Sequence, residues 1–220
     1  DRNYNFKLHI KNAEKGDNVS QYQLGNCYFL GNNTKQDSYK AIEWYAKSSE
    51  GGNIKAFYQL GRCYYNGYGV SKDEKKAIEF YLKSAERGDI YALQLMGNYY
   101  FYGNGVLKDE SKAFEFYLKA AEKGYRISQI KVAQYYNDGK YISKNKEKGF
   151  YWNRKAAING LIDAQYNIAE YYLYNNNEMK AFKWYLKLAN KKCLRAIYLT
   201  AKCYRNGIGT DKNLREAAEW

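Results

Sequence analysis

Proline is absent from the 220 residues, histidine occurs once and methionine twice. Without proline nothing locks φ or deletes a backbone donor inside a segment, so helices run until another residue stops them. The 18 glycines are the available stops. A single histidine excludes a His-based proton relay and a histidine-rich zinc cluster, and the four cysteines form no Cys-x-x-Cys pair. No apolar run approaches the ~20 residues that cross a bilayer, which reads as a soluble protein. The first residue is Asp1 rather than methionine, as in a fragment or a processed form.

Tyrosine and positive charge are abundant: 27 tyrosines within an aromatic content of 18 %, and a net charge of +13. Tyrosine packs a ring and leaves its hydroxyl in water, which suits an elongated body with much surface. Tyr28, Tyr64, Tyr100, Tyr136 and Tyr172 follow one another at 36 residues, with Tyr204 after 32. Three residues before each stands a small residue, Gly25, Gly61, Gly97, Ala133, Ala169 and Ala201. A second small column is Ser20, Ala56, Ala92, Ser128, Ala164 and Ala196, and a larger one is Leu24, Leu60, Met96, Val132, Ile168 and Thr200. Small and large columns alternating at helical spacing are the packing code of stacked hairpins, each burying its apolar face against its neighbours. The fold class expected is all-α, a right-handed superhelical α-solenoid of stacked antiparallel helix pairs. It forms one repeat array over 1–220: a partial unit 1–17 with its second helix only, full units 18–53, 54–89, 90–125, 126–161 and 162–193, and a partial unit 194–220.

In the unit 54–89 the pattern predicts helix A over Ile54 to Asn66, a turn at Gly67-Tyr68-Gly69-Val70, and helix B over about Glu74 to Arg87. Asp73 and its equivalents Asp37, Asp109, Asn145, Asn177 and Asn213 are N-cap types. Gly52, Gly88, Gly124 and Gly160 end helix B, with Lys192 in the fifth unit. That unit is four residues short and turns on Asn175, Asn176 and Asn177, asparagine being tolerant of positive φ. Cys27, Cys63 and Cys203 share their slot with Tyr99, Tyr135 and Tyr171, a packing position. Packed helix axes ~8–10 Å apart exceed the ~7 Å Cα limit of a disulfide, and Cys193 lies about 15 Å along a helix from Cys203. Free thiols tilt the expected compartment toward a reducing, cytoplasmic one. Lys47, Lys83, Lys119, Lys155 and Lys187 form a basic column; Glu43, Glu79 and Glu115 precede three of them by four residues, reading as solvated braces of ~0.2–0.5 kcal/mol each.

Leu60-Gly61, Tyr64, Gly67, Gly69-Val70, Asp73, Lys76-Ala77, Tyr81, Lys83 and Gly88 together resemble the Sel-1-like repeat, a relative of the tetratricopeptide repeat. The resemblance covers essentially the whole chain. It departs in two turns: Asp138-Gly139-Lys140-Tyr141 keeps one glycine and the fifth turn keeps none. It implies a solenoid whose A helices line a concave groove, and a scaffold or adaptor that holds other proteins, as in membrane-associated degradation complexes, bacterial host interaction or toxin immunity. Carried onto this chain, the groove would be lined by Tyr22, Asn26 and Phe29; by Tyr58, Arg62 and Tyr65; by Gln94, Asn98 and Phe101; by Gln134 and Asn137 with Ile130; by Tyr166 and Glu170 with Leu173; and by Tyr198, Lys202 and Arg205. Tyr, Phe and Arg supply binding hot spots. The amides of Asn26, Asn98 and Gln134 suit the backbone of an extended peptide.

No catalytic residue, metal site or cofactor is expected. The glycine-rich turns lie between helices without a preceding strand or a Gly-Lys-Ser/Thr end. His9 stands in the column of Tyr45 and Tyr81 and reads as packing. The positive charge favours an acidic protein or peptide partner. The alternative is a nucleic acid, contacted by the lysines with tyrosine stacking. Against it, Lys35, Lys72, Lys108, Lys144 and Lys212 fall in turns outside the expected groove. No amphipathic membrane anchor stands out.

Overall fold

The computed structural model describes residues 2–220, with side chains from Tyr4 onward. Among them thirteen α-helices and no strand are found: α1 (Arg2–Glu14), α2 (Asn18–Leu30), α3 (Ser38–Glu50), α4 (Ile54–Asn66), α5 (Glu74–Glu86), α6 (Ile90–Tyr102), α7 (Glu110–Glu122), α8 (Arg126–Asp138), α9 (Lys146–Ile158), α10 (Ile162–Tyr174), α11 (Glu178–Ala189), α12 (Leu194–Asn206) and α13 (Leu214–Glu219). Even-numbered helices are the A helices and odd-numbered ones the B helices. The extensive helix contacts are between chain neighbours, as stacked hairpins require. They divide the chain into two compact units, Asp1–Ala120 and Ala121–Trp220.

Local chemistry sets the helix bounds. The side chains of Asp37, Asp73 and Asp109 accept from the amides of Lys40, Lys76 and Lys112 at 2.9–3.0 Å, and Asn145 does so from Lys148 at 2.8 Å. Each satisfies one orphan donor of a first turn. Helix B closes on Gly52, Gly88, Gly124 and Gly160 at φ 85–92°, while Lys192 takes that conformation at φ 62° and Asn176 turns the shortened fifth repeat at φ 56°.

In the first unit the alternation of small and large residues has a specific cause. The rings of Tyr45, Tyr81 and Tyr117, on the B helices, lie against Gly25, Gly61 and Gly97 on the A helices. A Cβ at any of these glycines would come within 2.5–2.6 Å of ring carbons. Gly61→Ala is therefore expected to destabilise by about 1–3 kcal/mol through overpacking, outweighing the ~1 kcal/mol that alanine gains in a helix. Urea unfolding checks this; a variant more stable than the parent would contradict the packing account.

The basic column behaves differently from the brace reading. Among the described residues no ion pair joins Glu43 to Lys47, Glu79 to Lys83 or Glu115 to Lys119. Instead Lys47 Nζ lies 4.4 Å from the Trp44 ring centre, and Lys83, Lys119, Lys155 and Lys187 lie 5.0–5.9 Å from Phe80, Phe116, Trp152 and Trp184. The aromatic three residues earlier offers a flat face along which the lysine stem lies with its cation over the π-cloud. The lysine of the Lys-Ala pair does the same to the repeated tyrosine: Lys76 is 4.3 Å from the Tyr64 ring, which itself stacks on Phe80 at 5.5 Å and 12°.

The second unit keeps the plan with altered contents. Ala156, Ala157, Ala164 and Ile168 form one buried cluster; Ala169, Ala181, Phe182, Tyr185 and Leu188 belong to another. Gln129 and Gln165 donate to the carbonyls of Ala121 at 3.2 Å and Ala157 at 2.9 Å, closing the end of the preceding helix B. In its first repeat the tyrosine–glycine pair is replaced by Asn153 and Ala133, and Gly149 stands where other repeats carry alanine.

Candidate protein-binding surface

In the first unit the expected positions lie on α2, α4 and α6. Tyr45 Oη donates to Asn26 Oδ1 at 2.8 Å, and Tyr117 Oη donates to Asn98 Oδ1 at 2.8 Å. Both carboxamides are thereby oriented by a buried hydroxyl that uses the oxygen and leaves the NH2 for another acceptor. Gln94 is only 9 % exposed and donates to Asn98 Oδ1 at 3.2 Å, so it supports its neighbour. Arg62 donates to Gln59 Oε1 at 3.1 Å and holds its guanidinium 5.8 Å from the Phe29 ring. Tyr22 leans on Tyr45 at 6.0 Å and Tyr58 on Tyr81 at 5.5 Å. Phe101 meets Tyr102 edge-on at 4.9 Å. Tyr65 is 39 % exposed and lines a 310 Å³ cleft with Asn98, Tyr99 and Tyr102. Burial pushes the Tyr99 hydroxyl up to about 12 and that of Tyr81 higher still, so both stay neutral donors.

In the second unit Gln134 and Glu170 are exposed and Asn137 half-buried, and the three line one recess of 440 Å³. Tyr166 is 7 % exposed; Arg195 covers its ring at 4.9 Å and pairs with Glu170 at 2.9 Å. At Tyr166, as at Gln94, the side chain builds the wall and does not face solvent. Tyr198, Lys202 and Arg205 are exposed on α12, whereas Leu173 packs onto the core. Asn153, Asn167 and Arg195 belong to this surface although their columns gave no reason to choose them; the available signal was the break of a tyrosine column at Asn153. The charge is uneven: residues 121–220 hold 19 basic and 9 acidic side chains, against 17 and 14 in residues 1–120.

Other chemistry is sparse on this surface. Burial pushes the Cys63 thiol up to about 11, away from the reactive thiolate. Among the described residues no group of His, Cys, Asp and Glu is arranged to hold a metal, and no helix is long and apolar enough to cross a membrane.

A model of the Sel1 repeat matches residues 18–53, 54–89, 90–125, 126–161, 162–193 and 194–220. Among solved structures, a protective antigen of uropathogenic Escherichia coli with an SLR fold is 29 % identical with a TM-score of 0.84, covering 96 % of this chain. The match spans 46 % of that longer chain. A Sel1 repeat protein from Oxalobacter formigenes is 28 % identical with a TM-score of 0.71, over 93 % of this chain and 86 % of its own. Comparison with curated proteins gives no match. With six matched repeats running through to Trp220 on stacked helix pairs, the chain belongs to the Sel1 repeat family.

Proposed function

We propose that the chain is a non-enzymatic scaffold whose A-helix faces hold an acidic protein segment. Sel1 repeats build protein-interaction scaffolds; the acidic partner is the finer reading. One observation carries it. Among the expected positions the single carboxylate, Glu170, is already paired with Arg195, while Arg62, Lys202 and Arg205 have no carboxylate partner among the described residues. In each unit, helix faces with cations to spare attract negative charge and repel basic competitors. The half-buried rings of Tyr58 and Phe29 supply the apolar anchor beside that charge.

The test is affinity capture with the full chain, followed by titration of the captured partner. Arg62→Glu in the first unit and Arg205→Glu in the second are expected to weaken binding about tenfold or more, ~1.4 kcal/mol each; Tyr58→Ala is expected to do likewise. Undiminished capture by all three variants would reject the reading. A parallel titration with a mixed RNA and DNA pool separates the nucleic-acid alternative. Affinity falling with salt at a slope of about −0.7 to −0.9 per phosphate contacted would move the assignment there.

A further inference from the structure

The 440 Å³ recess of the second unit lies among α8, α9 and α10, and its origin can be read residue by residue. At the position of Asn153 the other full repeats carry Tyr45, Tyr81, Tyr117 and Tyr185, all buried. Replacing a ring by a short amide removes the filler between helix A and helix B. Gly149 extends the change: a Cβ there would collide with the amide of Asn137, so glycine lets that amide lie against α9. The result is polar. Asn153 is 4 % exposed, its Oδ1 accepts from Asn167 Nδ2 at 3.1 Å, and its side chain lines the recess. Carboxamides carry donors and acceptors together, so this lining suits an incoming hydrogen-bonding ligand.

We propose that this recess binds an uncharged saccharide, one terminal or single sugar unit. Its size falls in the ~300–1,000 Å³ range of small-ligand sites. Carboxamides from Gln134, Asn137, Asn153 and Asn167 donate and accept side by side, matching hydroxyl groups that do both. The stacked pair Phe150 and Tyr171, 4.1 Å apart at 27°, supplies an apolar wall for the C–H face of a sugar ring. Both signs of charge are present: Glu170 is held by Arg195, and Asp138 and Lys146 each line the recess, the Lys146 ammonium 3.7 Å from the Tyr174 ring. Two carboxylates, Asp138 and Glu170, against the one cation Lys146 in this lining disfavour a phosphate-bearing ligand. A peptide backbone running along the repeats would need the same opening at the next one, which Tyr185 fills.

The proposal is tested by titrating the ¹⁵N-labelled chain with the methyl glycosides of glucose, galactose, mannose and N-acetylglucosamine while following side-chain amide signals. At least one glycoside is expected to shift the Asn153 and Asn167 signals saturably. Asn153→Tyr, which restores the ring of the other repeats, is expected to weaken that glycoside at least tenfold. Gln134→Ala, at an exposed position, is expected to weaken it several-fold with the fold intact, and it decides the matter should Asn153→Tyr misfold. No saturable shift with any of the four, or parental affinity in the variants, would overturn the proposal. Arg62→Glu, which probes the scaffold reading in the other unit, is expected to leave glycoside binding unchanged, so the two readings fail separately.

Discussion

Gly69→Ala is expected to lower stability by about 3 kcal/mol or more, because left-handed strain on a non-glycine residue and forced overpacking act together. Gly69 sits at φ 68° in the turn after α4, and a Cβ there would run into the carbonyl of Ser38 at the start of α3. Backbone meets backbone, so no rotamer change relieves the collision; the turn or the first turn of α3 must shift. Gly209 is placed the same way against the carbonyl of Glu178. Gly52 provides the control. It has φ 86° with nothing within 4 Å of the added carbon, so Gly52→Ala incurs the left-handed strain alone, about 1–2 kcal/mol. Urea unfolding of both variants measures the difference. Equal losses would mean that the turn does not bear on the preceding repeat.

Tyr45→Ala is expected to cost about 3–5 kcal/mol, the range for removing a fully buried aromatic side chain. Tyr45 is sealed from solvent, covers Gly25 and holds Asn26 through its hydroxyl. Tyr45→Phe keeps the ring and gives up the hydrogen bond, about 1 kcal/mol. The two variants separate packing from polar orientation in one denaturation series. Burial raises the pKa of this hydroxyl above the usual tyrosine range. A raised folded-state pKa means that the contribution is complete below the unfolded value of about 10 and is lost as pH climbs through the folded one. Parent stability is thus expected to fall above about pH 10 more steeply than that of Tyr45→Phe. Parallel alkaline profiles would remove the hydroxyl from the account.

Much of the fold was legible because its determinants are local. Asp73 announces α5 by its own side-chain bond to Lys76, and the small residue three before Tyr64 announces a close helix crossing; neither depends on anything distant. The lysine column was harder. From sequence alone Glu43 and Trp44 are both within reach of Lys47, and only the rotamer decides that the ring is covered. The surface positions were harder again. Gln94 and Tyr58 sit one repeat apart in the same column, yet one is buried and the other half-exposed, because the side chains of the adjoining helices determine the cover. The recess needed three coordinated departures, Asn137, Gly149 and Asn153, none of which signals a cavity until their helices are seen side by side.

Helices that lean chiefly on their predecessors and successors in the chain give a molecule assembled link by link. In such a molecule evolution can splice in or excise a whole 36-residue period and adjust reach without redesigning a common centre. Individual links are equally at liberty to specialise. One repeat can trade its tyrosine for an amide and acquire a new role while its companions go on supplying the spine.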